Sequence, residues 1–436
     1  MSLPWSDCAA RIGGADPIRV AGHVEKLVGL VIEVQGLTAS VGAQCRIDTD
    51  RGSVACEVVG FRSGTALLMP YGNLEGIARG QKVSLLGDSL SVPVGPELLG
   101  RVIDGLGRPV DGGTDLRNMY QQQVTGTPPS AMTRRRIDRP LATGVRSIDS
   151  MITVAEGQRL GIFAGSGVGK SVLLGMLARN ADVDVNVVAL IGERGREVRE
   201  FLERDLGPEG LARSVVIVVT SDESAVMRAK GAETAMAVAE HFRDAGKNVM
   251  LMMDSLTRYA MALREIGLAA GEPPTTKGYT PSVFAALPRL CERAGCSAES
   301  AITAFFTVLI EGDDIHDPVG DAVRSILDGH IMLSRDLARE GHYPAVDVLG
   351  SISRLRQDVA DPEVLAAGGK LVRWLKAVEE NRDLINIGAY VAGSDPVVDA
   401  ALARREAIRA FLCQPTQENA DWAETARALQ ELVAEV

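Results

Sequence analysis

The sequence has no apolar run near the length of a membrane-spanning helix, which needs about 18 residues or more. Its first residues, Met1-Ser-Leu-Pro-Trp-Ser-Asp7, lack the basic and apolar regions of a signal peptide. The six cysteines form neither a Cys-x-x-Cys pair nor the spacing of a disulfide scaffold, so we expect reduced thiols. These absences predict a cytoplasmic protein and leave a peripheral membrane contact open.

Positive charge is also scarce. The chain has 46 Lys and Arg against 57 Asp and Glu, which gives a formal net charge of −11. Nucleic-acid surfaces need clustered basic residues, and the one cluster, Arg134-Arg-Arg136 with Arg139 nearby, is interpreted as a solvated linker or a domain-joint face rather than a binding patch. The composition therefore argues against a nucleic-acid partner.

The length and the pattern of apolar residues predict several domains. A total of 436 residues with 46% hydrophobic content is enough for two or three cores. After a short segment, 1–19, alternating apolar residues and glycine-containing turns predict a small β-barrel over 20–90. Residues 91–360 predict an α/β domain, with a turn-rich connector at 91–145, and residues 361–436 predict a helical C-terminal domain.

Within the α/β domain, buried-strand patterns alternate with helical ones, which indicates a mainly parallel sheet covered on both faces. The clearest predicted strands are 159–163, 185–191, 214–220, 248–253 and 301–310. The predicted C-terminal helices lie near 363–385, 397–413 and 419–435.

A glycine-rich loop joins the first of these strands to a helix. Residues Ala164-Gly-Ser-Gly-Val-Gly-Lys-Ser171 stand between the apolar run 159–163 and the helical pattern 172–179. Such a loop directs main-chain N–H groups at phosphates, its lysine reaches the outer phosphates, and its serine ligates Mg²⁺. We therefore predict binding of a nucleoside triphosphate, ATP, with Mg²⁺. The predicted nucleotide-binding residues are Gly165, Ser166, Gly167, Val168, Gly169, Lys170, Ser171 and Val172. The alternative is an ordinary glycine-rich turn.

Two acidic residues follow later strands. Asp254 closes the apolar strand 249–253 and is the predicted Mg²⁺ carboxylate, together with the Ser171 hydroxyl. Glu193 follows the strand 185–191 and is predicted to position the attacking water, which is the main requirement of phosphoryl transfer. A structural ion pair between Glu193 and Arg194 or Arg196 is the alternative.

Four segments occur in order along the rest of the chain. They are Gly192-Glu-Arg-Gly-Arg-Glu-Val198, Asp254-Ser-Leu-Thr-Arg-Tyr-Ala260, Gly278-Tyr-Thr-Pro-Ser-Val-Phe284 and Pro344-Ala-Val-Asp-Val-Leu-Gly-Ser-Ile-Ser353. Together they resemble the catalytic subunits of rotary ATP synthases and their relatives that energise type III protein export. The resemblance covers nearly the whole chain and implies a RecA-type P-loop ATPase domain.

The resemblance also implies roles for single residues. Glu193 matches the catalytic glutamate, and Lys170 and Arg194 join it as candidate catalytic residues. Tyr343 matches an aromatic residue that packs on adenine, with packing of a turn as the alternative. Arg354 matches the arginine that reaches a neighbouring subunit's γ-phosphate, with a surface ion pair to Asp347 or Asp358 as the alternative. A chain that carries both half-sites implies a homohexameric ring.

Segments 191–199, 254–261 and 327–335 look like type III export ATPases, and 386–395 is similar to the flagellar branch. The resemblance implies ATP hydrolysis for flagellar protein export at the inner-membrane export apparatus. The implied partners are a stator-like regulatory dimer, a coiled-coil central stalk, export chaperone–cargo complexes and the membrane export gate. The alternatives are a virulence injectisome ATPase, a proton-coupled synthase subunit and a hexameric nucleic-acid motor.

Overall fold

The computed structural model describes residues 21–116, 118–310 and 317–434. The chain divides into two compact units, the first formed by residues up to 90 with the short segments 224–226 and 265–273, and the second by the remainder. The predicted N-terminal segment 1–19 lies outside the described residues.

Six antiparallel strands of the first unit form a closed barrel, as the alternating pattern predicts. They are Ala21–Val28 (β1), Val31–Gln35 (β2), Gln44–Thr49 (β3), Gly52–Arg62 (β4), Thr65–Pro70 (β5) and Lys82–Gly87 (β6). Side chains such as Ile32, Val34 and Ile47 alternate inward and are fully buried in the barrel core. The predicted β-barrel is therefore confirmed.

The second unit holds the remaining strands. They are Ser91–Val94 (β7), Val102–Ile103 (β8), Tyr120–Gln123 (β9), Arg159–Ala164 (β10), Val185–Glu193 (β11), Ser214–Thr220 (β12), Val249–Asp254 (β13), Gly295–Cys296 (β14), Ala301–Leu309 (β15), Gly329–Leu333 (β16) and Val346–Ser353 (β17). Within the described residues, nine of them form one sheet in the order β17-β16-β10-β15-β13-β11-β12-β8, with β14 beside β15. Only β14 and β17 pair antiparallel, so the predicted mainly parallel sheet is confirmed.

The segment predicted as a connector, 91–145, does more than join domains. Its strand β8 pairs in parallel with β12 and adds an edge strand to the main sheet. Strands β7 and β9 form a separate two-stranded sheet. The sequence does not reveal this edge strand, because a two-residue strand in a turn-rich stretch gives too short a pattern to recognise.

Among the described residues, the α-helices begin with Arg146–Met151 (α1). They continue with Lys170–Asn180 (α2), Gly195–Glu200 (α3), Gly207–Ala212 (α4), Ala225–Asp244 (α5), Leu256–Ala270 (α6), Pro281–Cys291 (α7), Pro318–Ile326 (α8) and Arg335–Arg339 (α9). Short 3₁₀ turns cover Pro96–Leu98 and Thr276–Gly278, and a π-helix covers Phe201–Leu206.

The C-terminal part is helical, as predicted, but its first two predicted helices are each divided. The helices are Arg356–Val359 (α10), Pro362–Glu380 (α11), Arg382–Asn386 (α12), Pro396–Ala403 (α13), Arg405–Leu412 (α14) and Trp422–Val433 (α15). The breaks fall at Asn381 and Arg404, whose main-chain angles leave the helical region. Leu371, Trp374 and Leu429 pack in the shared core.

The basic cluster is partly structural, which corrects its interpretation as a solvated linker. Arg134 donates to the carbonyls of Glu292 and Ala294, and Arg135 forms an ion pair of 2.6 Å with Glu156. Arg136 remains largely exposed. Two of the three arginines therefore stabilise the fold.

The sheet order determines where functional side chains meet. Strands β10, β15, β13 and β11 are neighbours and run in the same direction. Their carboxyl ends lie along one edge of the sheet, where ligands bind in open α/β folds. No helix in the described ranges is long and apolar enough to span a membrane.

Candidate active site

The predicted phosphate loop lies between β10 and α2 at this edge. Gly167 and Gly169 have φ angles of 79° and 93°, a left-handed conformation that other residues rarely adopt. Gly169 is the N-cap of α2, so the loop opens onto a helix N-terminus that favours anions. The eight predicted residues from Gly165 to Val172 thus form one loop and the first turn of its helix.

Three charged side chains converge beside the loop. The Lys170 ammonium contacts the Asp254 carboxylate and lies 3.4 Å from Glu193 Oε1. The side chains are only 13%, 4% and 15% exposed, respectively. Burial lowers the pKa of Lys170, but the charges of Asp254 and Glu193 outweigh this effect and raise it overall. The lysine is therefore held as a cation.

Glu193 ends β11 at a register shift between Ile191 and Glu193. Burial and the nearby Asp254 charge raise the pKa of Glu193 to about 7, although the Lys170 charge opposes them. A carboxylate with a pKa near neutrality suits an acid–base role. The side chain can thus accept a proton near physiological pH.

The arginines beside Glu193 do not join this cluster. Arg194 is 81% exposed at its side chain and lies 3.3 Å from Glu197, while Arg196 pairs with Glu200. The structure therefore gives Glu193 a different ionic partner, Lys170, from those considered as structural alternatives. It does not bring the candidate Arg194 to the other charged groups.

Arg258 is a candidate that the sequence reasoning missed. It lies four residues after Asp254, in the first turn of α6, and its stem packs against Gly192. A Cβ atom at Gly192 would lie 3.1 Å from Arg258 Cβ, so glycine permits this close approach. The buried Nε of Arg258 has no hydrogen-bond partner. Arg258 belongs to the segment 254–260 that carries the family resemblance, and this position in the sequence could have identified it as a candidate.

Tyr343 lies beside Gly169 of the loop. Its side chain is half-exposed, and its ring carbons lie 3.6 Å from the position that a Cβ of Gly169 would occupy. The Tyr343 carbonyl accepts a hydrogen bond of 2.9 Å from the Gln414 main chain. An exposed ring beside the loop leaves space for a base to stack on it.

Arg354 lies at the opposite end of β17 from Tyr343. β17 runs antiparallel to β16 and pairs Val346 with Leu333 and Ser353 with Gly329. The Arg354 guanidinium donates a hydrogen bond of 3.2 Å to the Arg324 carbonyl. In the part of the chain that the structure describes, Arg354 forms no ion pair with Asp347 or Asp358.

Three family models match successive parts of the chain. The beta-barrel domain of the ATP synthase alpha/beta family matches residues 24–87, and its nucleotide-binding domain matches residues 144–353. The T3SS EscN ATPase C-terminal domain matches residues 360–431. These matches follow the barrel, the parallel sheet and the terminal helices.

Relatives match over nearly the full chain. The flagellum-specific ATP synthase of Bacillus subtilis is 52% identical over 420 residues, covering 96% of each chain. The type 3 secretion system ATPase of Xanthomonas euvesicatoria is 52% identical over 399 residues, covering 91% of this chain and 90% of the relative.

A solved structure gives the same family. The assembled ATPase EscN of enteropathogenic E. coli, in complex with its central stalk EscO, has a TM-score of 0.88 and 43% identity. The match covers 95% of this chain and 100% of that one. The chain therefore belongs to the ATP synthase alpha/beta family, in the group that holds the flagellum-specific ATP synthases and the type 3 secretion system ATPases.

Proposed function

We propose that this chain hydrolyses ATP to energise type III protein export during flagellum assembly. The observation that carries the proposal is the convergence of Lys170, Glu193 and Asp254 beside the phosphate loop. The chain's similarity to flagellum-specific ATP synthases over nearly its full length supports the flagellar role.

Lys170 has a clear task in this reaction. Its ammonium lies at the start of α2, where it can leave the two carboxylates and compensate the charge of the outer phosphates. Glu193 would orient water in line with the γ-phosphate and accept its proton. The buried setting strengthens these electrostatic effects because little solvent competes.

The donor set beside the loop fits Mg²⁺. Ser171 in the first turn of α2 and Asp254 at the end of β13 offer a hydroxyl and a carboxylate, the hard oxygen ligands that Mg²⁺ prefers. The described residues hold no group of three or more His, Cys, Asp or Glu side chains suited to a metal. That fits an ion held mostly by water and phosphate oxygens, which would supply charge neutralisation there.

Arg354 is proposed to act on a neighbouring subunit in a homohexameric ring. Tyr343 precedes β17 and Arg354 follows it, so the eight residues of this strand, roughly 23 Å from the first to the last, lie between them, and the antiparallel direction carries Arg354 away from its own phosphate loop. An exposed arginine in this place suits a phosphate site on another copy. The related EscN structure is of an assembled ATPase, which supports this reading.

A coiled-coil stalk is the partner with most support. EscN was solved with a central stalk, and this chain exposes apolar side chains from α12 to the first turn of α13. They are Leu384, Ile387, Val391 and Val397. Several exposed apolar side chains in one region typically mark a protein-binding site. The regulatory dimer, chaperone–cargo complexes and membrane export gate are proposed from the family resemblance, as is peripheral attachment to the export apparatus.

An injectisome role is the second candidate, because a type 3 secretion system ATPase is also 52% identical. The deciding experiment replaces the chromosomal gene with its Lys170→Ala version and measures motility and secreted proteins. Loss of filaments and of secreted flagellin with normal growth would support the flagellar proposal. Normal flagella with missing virulence effectors would instead establish the injectisome role, and a general energy defect would point to a synthase. Lys376→Ala, at an exposed lysine of α11, is the matched control.

A further inference from the structure

A buried threonine contacts the proposed magnesium carboxylate from the neighbouring strand. Thr307 lies in β15 and is fully buried, and its hydroxyl donates a hydrogen bond of 2.7 Å to Asp254 Oδ1. The carbonyl of Met253 lies farther from the same hydroxyl, at 3.4 Å. Because a hydroxyl has one hydrogen to donate, the shorter and charge-assisted bond to Asp254 is favoured.

The main chain holds this contact in place. β13 and β15 pair in parallel up to Met253 and Phe306, so Asp254 and Thr307 are the next residues along both strands. The Thr257 hydroxyl also accepts a 2.9 Å bond from the Leu309 N–H. Two bonds thus join the end of β15 to the turn that carries Asp254.

The second partner of Asp254 is Lys170, which contacts the same Oδ1 atom. When the lysine turns to the phosphates of a bound nucleotide, Asp254 loses this partner and the repulsion from Glu193 is less compensated. The Thr307 hydroxyl carries no charge, so the phosphates do not attract it away from Asp254 as they attract the Lys170 ammonium. It is then the side chain that restrains the carboxylate.

We infer that Thr307 is a positioning residue that fixes the Asp254 carboxylate for binding of the Mg²⁺–nucleotide complex. The inference rests on the proposed function, because it takes Asp254 as part of the Mg²⁺ site. Thr307 does not touch the reacting atoms. Its effect is therefore expected on the gain in nucleotide affinity that Mg²⁺ provides, more than on nucleotide affinity without Mg²⁺.

The test compares three variants of the full chain. Thr307→Val keeps the shape of the side chain and removes the donor, whereas Thr307→Ser keeps the hydroxyl. Thr303→Val is the matched control, because Thr303 is also buried in β15 but accepts its 2.8 Å bond from the Gly157 N–H, away from Asp254. Fluorescence titration with N-methylanthraniloyl-ADP, in saturating Mg²⁺ and in EDTA, gives two dissociation constants without turnover.

The ratio of the dissociation constant in EDTA to that in Mg²⁺ measures the affinity gained from Mg²⁺. We expect this ratio to fall about tenfold in Thr307→Val, the order expected for losing a hydrogen bond to a charged group. Thr307→Ser and Thr303→Val should keep the ratio of the unchanged chain. An unchanged ratio in Thr307→Val, with Mg²⁺-dependent binding intact in the unchanged chain, would overturn the inference and leave the proposed function standing. Absence of Mg²⁺-dependent binding in the unchanged chain would overturn both. An equal fall in Thr303→Val would also overturn it, since general destabilisation would then explain the loss.

Discussion

Gln414 supports Tyr343 from the C-terminal helical region: its main-chain N–H donates a 2.9 Å hydrogen bond to the Tyr343 carbonyl. The Gln414 side chain is buried, accepts from the Arg146 N–H at 2.8 Å and donates to the Gly144 carbonyl at 2.8 Å. The segment after α14 is thereby fixed against the turn before α1. The position of the Tyr343 ring beside the loop therefore depends on residues distant in the sequence.

Replacing Gln414 with Ala removes the side-chain bonds that fix this segment. We expect KM for ATP to rise about tenfold with little change in kcat, because binding of the base is weakened while the charged groups remain in place. Steady-state kinetics of the assembled protein measure both constants. Gln430→Ala, which removes an exposed contact to Glu363, is the control and should change neither.

A double-mutant cycle tests whether the effect passes through the aromatic ring. If Gln414 acts by positioning Tyr343, the KM of Gln414→Ala with Tyr343→Ala should match that of Tyr343→Ala alone. Independent, additive effects of the two changes would contradict the positioning role.

The sequence predicted the phosphate loop and the acidic strand ends because these features are local. A strand, a glycine-rich loop with Lys170 and Ser171 and a helix follow one another directly, and Asp254 closes one continuous apolar run. The barrel was predictable for the same reason, since alternation repeats over each strand. These patterns need no knowledge of distant contacts.

The contacts that were missed depend on pairing between segments far apart in the chain. Thr307 is an unremarkable strand residue until β15 is placed beside β13 in the correct register. Gln414 lies in a loop whose partners, Gly144 and Tyr343, come from two other parts of the fold. The division of the C-terminal helices at Asn381 and Arg404 was also missed, because neither residue is a strong helix breaker.

Lys170→Ala and Glu193→Gln should separate nucleotide binding from hydrolysis. Removing the lysine takes away the charge that compensates the phosphates, so both affinity and turnover should fall. Glu193→Gln keeps the side-chain shape and Lys170, so it should still bind ATP while turnover drops by at least about 10². Equilibrium binding and phosphate release measure the two effects. Equal loss of binding in both variants would contradict the separate roles.

Glu193→Gln should also stabilise the nucleotide-free protein at alkaline pH. Burial and Asp254 raise the pKa of Glu193 from 4.5 to about 7, so the folded state holds its proton to higher pH than the unfolded state. Stability from this group therefore falls as pH rises from 4.5 to 7, and the full penalty persists above 7.

Glutamine carries no charge and avoids this penalty. We expect Tm of the variant to exceed that of the unchanged chain by a few degrees at pH 8, corresponding to about 1–3 kcal/mol, with no difference at pH 4. Calorimetry of the nucleotide-free proteins at both pH values measures it. A gain of equal size at both pH values would exclude charge burial as the cause.

Arg354→Ala should lower turnover by about 10³ or more while leaving the subunit's own phosphate loop intact. If the arginine serves a neighbouring subunit, an Arg354→Ala subunit still provides a complete loop, and a Lys170→Ala subunit still provides the arginine. Equal mixing before assembly should then restore about a quarter of the active interfaces in a ring of head-to-tail contacts.

The control mixture combines Lys170→Ala with Glu193→Gln. Both changes damage the same side of the interface, and the two side chains lie 3.4 Å apart within one subunit. No pairing of these subunits can bring an intact lysine and an intact glutamate together in one site, so this mixture should stay inactive. Phosphate release by the two mixtures, compared with each parent, shows whether Arg354 acts between subunits. If Arg354→Ala with Lys170→Ala is also as inactive as its parents although rings form, the arginine does not act between subunits.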